Sequence, residues 1–197
     1  MTPSRARKPR ADAERSRAAI LDATVQVLDA DPEASVEAIA ASAGVTRQTV
    51  YAHFPSREQL LAAVLDRLTG EAVAAMDAAD LDSGSATGAL LRLLDAGRRT
   101  SGRYPVLLQQ LSSLPVSAHA DHQRHEPVAN RLKRVVQRGQ DTGEFDNQLS
   151  PDWLVAVTIK LGHAASEEVD AGRMSSAEAT ATLHTSLLRV FGATDSS

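Results

Sequence analysis

The sequence predicts an all-α fold of about nine helices. Three observations predict it. Aromatic residues are only 3% of the 197 residues while Ala and Leu dominate, a composition that favours helix over strand. Apolar residues recur at three- and four-residue spacing, and no segment alternates as a strand would. Helix caps, prolines and glycines punctuate the chain at helix-length intervals.

Taken in order, the first helix is expected over 12–30. Leu21, Val25 and Leu28 fall at i, i+4 and i+7, with Ile20 and Val27 beside them, and Asp31-Pro32 stops it. A second helix starts at the N-cap Ser35, buries Val36, Ile39, Ala40 and Ala43, and ends at Gly44, a residue suited to the left-handed turn after a helix. A third begins almost at once, over 46–54. Thr46 caps it, Val45 and Val50 are placed as a hydrophobic staple, and Pro55 ends it. Ser56 to Gln59 open a fourth as an S-x-x-Q capping box, with Leu60, Leu61, Val64, Leu65 and Leu68 as its apolar stripe, running toward Ala78. Residues 80–88, rich in Gly, Ser and Asp, read as a linker. Five further helices are expected near 86–102, 104–118, 125–142, 151–170 and 176–191. Ser150-Pro151 and the Ser175 to Glu178 capping box mark the last two starts.

Composition narrows the class. Apolar residues are 43% and charged residues 23%, ordinary for a folded domain. No stretch approaches the roughly 20 apolar residues of a membrane span, and no apolar segment follows the basic N-terminus as in a signal peptide. Cysteine is absent, which removes disulfides and thiolate chemistry. The net charge is −4, yet residues 1–17 hold six basic residues against Asp12 and Glu14, and residues 42–57 hold Arg47 and Arg57 with no acid. From residue 61 on, 13 basic residues face 17 acidic ones. Basic charge gathered at one end of an acidic chain fits a local contact surface for DNA.

The second and third helices, joined by Ala43-Gly44-Val45-Thr46, form a helix-turn-helix. Glycine permits the sharp reversal. Ile39, Val45, Val50 and Phe54 lock the third helix inward. At about 100° per residue, Gln48 and Ala52 then lie nearly opposite Val50, flanked by Thr49 and Tyr51, with Arg47 at the helix mouth. Gln48 can pair bidentately with adenine and Arg47 with guanine, while the Ala52 methyl can meet a thymine methyl. Thr46 leaves backbone N–H groups for a phosphate.

The stretch from Ala38 to Leu61 closely resembles the DNA-binding region of TetR-type (tetracycline-repressor-like) regulators. Gly44-Val45, Thr49-Val50-Tyr51, His53-Phe54, the Ser56-Arg57-Glu58 helix start and, upstream, Ile20-Leu21-Asp22-Ala23 carry the likeness. It covers about residues 12–68. The resemblance implies phosphate contacts from Ser35, Thr46, Tyr51, His53 and Arg57, and base or groove contacts from Arg47, Gln48 and Thr49. Arg57 stands where the family often has lysine, which keeps the charge but changes the donor geometry. The resemblance also implies an N-terminal three-helix DNA-binding domain and a C-terminal helical domain for ligand binding and dimerisation. The chain then divides into a basic arm (1–11), the helix-turn-helix domain (12–68), a sensor and dimerisation domain (69–192) and a tail (193–197). The expected function is a ligand-responsive repressor, cytoplasmic and nucleoid-associated, that binds double-stranded operator DNA at a palindrome as a homodimer. No cofactor is expected, and the effector is an unidentified small molecule.

In the C-terminal part, Leu154, Val157 and Leu161, with Ala164 and Ala165, and Leu183, Leu187 and Val190 form apolar faces. These suit either a dimer interface or burial within one subunit. Tyr104, Leu108, Leu111, Trp153 and His163 are candidate pocket residues between the helices. His119, His122 and His125 read as part of a solvated connection, and no metal is assigned to them. The rival classes are a helical enzyme and a structural dimer without DNA binding. No phosphate loop, H-E-x-x-H or G-x-S-x-G motif supports the first. The outward Gln48, Thr49 and Tyr51 beside a basic arm argue against the second.

Overall fold

The computed structural model describes residues 7–112 and 118–193; side chains are described for 11–100, 102–108, 110–111 and 123–193. Residues 1–6 of the basic arm, the side chains of His119 and His122, and residues 194–197 of the tail lie outside the described residues. The helices are α1 (Arg7–Ala30), α2 (Val36–Ser42), α3 (Arg47–His53), α4 (Arg57–Asp77), α5 (Ala86–Ser101), α6 (Pro105–Ser112), α7 (Ala118–Asp141), α8 (Pro151–Asp170) and α9 (Ser176–Val190). No strand occurs among the described residues, and none of their helices is long and apolar enough to cross a membrane.

The chain forms two compact units, 1–70 with 101–115, and 71–100 with 116–197. In the first, α1 packs across α2 and α3, and α6 lies along α1. Ile20, Leu28, Ile39, Leu60, Val64 and Leu107 are fully buried at its centre. Truncating any of these leucines costs about 2–5 kcal/mol, lost transfer energy plus a cavity. Thr24 sits in this core without penalty because its hydroxyl donates to the Ile20 carbonyl one turn back, at 2.7 Å. Placing α6 here corrects the expected division of the chain. Leu107 and Leu111 bury into the first core, the Leu107 N–H donates to Asp29 (3.3 Å), and the Gln110 amide donates to the Pro32 carbonyl (2.7 Å).

The second unit is built around Leu90, Leu93, Leu132, Val136, Leu154, Leu187 and Phe191, with α8 packed between α7 and α9. Phe145 meets Phe191 edge to face at 5.0 Å between centroids. Gly139 makes room for it, since a Cβ at that position would overlap the Phe145 ring. The expected linker is an ordered turn. Arg92 holds it by donating to the carbonyls of Ala79 (3.0 Å), Asp80 (2.8 Å) and Ser83 (2.8 Å), and Gly84 takes φ +68°. The N-terminus of α5 is closed from a distance. The Glu144 carboxylate accepts from the Ala86 and Thr87 N–H groups at 2.9 and 3.1 Å. Those bonds, the Ala86 one foremost, hold its pKa below the ordinary glutamate value. A second correction concerns residues 118–125, which are the first turns of α7 rather than a solvated connection.

Candidate nucleic-acid interface

Local chemistry builds α3 as a rigid ledge. Ser35 caps α2 by accepting from the Ala38 N–H (3.3 Å), and Gly44 then turns the chain at φ +67°. Thr46 caps α3 by accepting from the Thr49 N–H (3.1 Å), and the two threonine hydroxyls share a further hydrogen bond at 2.9 Å. Val50 and Phe54, at 1% and 3% exposure, pin the inner face of α3 into the first core, with Val45 packed beside them. Arg17 of α1 lies over the Phe54 ring, its guanidinium carbon 5.1 Å from the centroid.

The opposite face carries the candidate readers. Thr46, Arg47, Gln48 and Ala52 are exposed, and Thr49, Tyr51 and His53 are half-exposed around them. The helical-angle reading of Gln48 and Ala52 as the outward pair agrees with this exposure. Arg47 is already oriented. It forms an ion pair with Glu37 of α2 and lies over the Tyr51 ring, 5.3 Å from its centroid. A hydrogen bond with the Tyr51 side chain, and after it the charge of Glu37, raises the guanidinium pKa above its ordinary value. Glu37 escaped the sequence reading. Its signal was an acid on the outer face of the first turn of α2.

Arg57 is placed differently from the expectation. Its guanidinium donates to the Ala34 carbonyl at 2.8 Å and the Pro32 carbonyl at 3.1 Å, half-buried under the α1–α2 connection. A planar fork matches two carbonyls as readily as a phosphate, and here the protein's own backbone occupies it. Arg57 therefore braces the helix-turn-helix from behind. The candidate pocket residues fall in different units. Tyr104, Leu108 and Leu111 pack with the core of the first unit, whereas Trp153 and His163 are exposed residues of the second. Spacing marked these residues as apolar or aromatic but carried no information on which core each would join.

Residues 20–64 match the family model described as bacterial regulatory proteins, tetR family. The chain is 42% identical over 83 residues to the HTH-type transcriptional repressor LfrR of Mycolicibacterium smegmatis, an alignment covering 42% of this chain and 44% of that one. The matched segment thus spans less than half the length of the curated relative. The crystal structure of the TetR-like regulator LfrR from Mycobacterium smegmatis in complex with proflavine superposes with a TM-score of 0.58 at 27% identity, over 88% of this chain and 95% of that one. The regulator FadR from Bacillus subtilis, in complex with stearoyl-CoA, shares the fold with a TM-score of 0.71 at 18% identity, over 88% and 96% of the two chains. The curated relatives matched are named as transcriptional regulators, none as an enzyme. Over residues 20–64, which hold its helix-turn-helix, the chain is thus similar to the tetR family of bacterial regulatory proteins.

Proposed function

We propose that this protein is a sequence-specific DNA-binding transcriptional repressor. The observation that carries this reading is the outer face of α3, where Arg47, Gln48 and Ala52 stand exposed on a helix whose inner face is locked by Val50 and Phe54. A short helix held rigidly from one side, with an amide, a guanidinium and a methyl on the other, is what major-groove reading requires. Gln48 and Arg47 read bases, with Thr49 at the groove edge. Ser35, Thr46, Tyr51 and His53 meet the phosphates flanking them. The basic arm adds backbone contacts.

The protein acts as a homodimer in the cytoplasm, on the nucleoid, with α8 and α9 forming the subunit interface. Two recognition helices related by a two-fold axis read a palindrome, with half-sites about one DNA turn, roughly 34–36 Å, apart. The second unit is the sensor, and a small-molecule effector bound there releases the operator. The complexes of LfrR with proflavine and of FadR with stearoyl-CoA support a ligand-responsive reading.

Selection from a random duplex pool at moderate salt tests the proposal. Enrichment of an inverted repeat is the expected result, lost on substitution of Gln48 and Arg47 together. Recovery of no preferred sequence, with and without candidate effectors, overturns it.

A further inference from the structure

Three of the chain's six histidines, His119, His122 and His125, lie within seven consecutive residues. The fold brings to one of them a partner from another helix. Nε2 of His163, on α8, lies 3.2 Å from Nε2 of His125, on α7. The two rings meet edge to face, with centroids 5.1 Å apart and planes at 61°. His163 is exposed and His125 half-exposed, so solutes reach the pair.

Two imidazole nitrogens at this separation have two chemical meanings. In the first, rings of complementary tautomer share one N–H···N hydrogen bond. In the second, both lone pairs converge on one cation. Metal–nitrogen bonds of about 2.0–2.1 Å hold two ligand nitrogens about 3.3 Å apart at the tetrahedral angle and about 2.9 Å apart at a right angle. The observed separation falls between these values, so binding would need only rotation of the two rings and no movement of the helices.

We propose that His125 and His163 form a binding site for a divalent transition-metal ion of the imidazole-preferring class (Zn²⁺, Ni²⁺, Cu²⁺ or Co²⁺), joining α7 to α8. Among the described residues no group of three or more His, Asp or Glu side chains surrounds a common centre.

The test uses the full chain freed of any histidine tag. Zn²⁺ titrated calorimetrically near neutral pH is expected to bind one ion per chain, and Co²⁺ to produce ligand-field absorption in the visible. Zinc in about hundredfold excess over its Kd raises the thermal midpoint by about 5 °C. His125→Ala and His163→Ala each lower the affinity at least about tenfold, the loss of one ligand being worth at least ~1.4 kcal/mol. His125→Gln and His163→Gln keep polar bulk and lose binding equally, while unchanged helical circular dichroism shows that the fold is intact. No saturable binding up to a Kd of about 1 mM overturns the proposal. Binding undiminished in the double variant overturns it as well. Neither result bears on operator binding, which is measured separately.

Discussion

Gln48 and Arg57 illustrate how two polar residues nine positions apart take opposite roles. Gln48 has no structural task on the exposed face of α3, so its amide is available to a base edge. Gln48→Ala is expected to cost about 1–3 kcal/mol at one operator base pair and to relax specificity there, with little change in folding stability. Fluorescence anisotropy on a panel of single-base operator variants checks this. Arg57 is tied to the Ala34 and Pro32 carbonyls. Arg57→Ala should therefore lower stability by about 1–2 kcal/mol in urea unfolding, by orphaning a buried acceptor. It should leave the slope of log K against log salt unchanged. A slope shallower by about one would return Arg57 to the phosphate contacts.

At the scale of the element, helix ends and tight crossings decide stability. Gly139 of α7 faces the Phe145 ring with no space for a Cβ. Gly139→Ala gains helix propensity but forces Phe145 out of the core, for a net loss of about 1–3 kcal/mol in chemical denaturation. The α5 N-terminus supplies a pH-dependent case. The folded-state pKa of Glu144 is lowered, chiefly by the Ala86 N–H and then by the Thr87 N–H and the Thr142 hydroxyl, against the desolvation that opposes it. A depressed carboxylate contributes stability that is present above its unfolded pKa, roughly 4.3, and is lost as pH falls through the folded value. The stability difference between the parent protein and Glu144→Gln should thus be largest near neutral pH and shrink below about pH 4. A constant difference across that range would detach the carboxylate's charge from its capping role.

At the scale of the whole molecule, the proposed dimer has a built-in reporter. Trp153 is the chain's one tryptophan and stands 58% exposed near the start of α8. Leu154 and Leu187 are consumed inside the subunit, so the apolar faces read from spacing serve the internal core first. What α8 leaves outward includes Trp153, Ala156 and Ala164. If α8 and α9 form the subunit interface, Trp153 emission should shift to longer wavelength on dilution, in step with the fall in mass measured by sedimentation. Emission independent of concentration while the mass halves would place the interface elsewhere.

The sequence by itself determined most of the helices, the boundary between α6 and α7 excepted, together with their caps and the outward face of α3. These depend on contacts within a few residues: Ser35 with Ala38, Thr46 with Thr49, and Val50 with Phe54 one turn on. Only the tertiary structure decided where Arg57 donates, which core receives α6, how Glu144 reaches α5 and that His163 meets His125. Periodicity states which side of a helix is apolar, not which helix will cover it. A guanidinium, carboxylate or imidazole can satisfy itself on any partner that the chain's path brings within about 3 Å. The helix-turn-helix was legible because its working parts are local. Which core Tyr104, Leu108 and Leu111 would join was not legible, because membership of a core is settled by packing between segments distant in sequence.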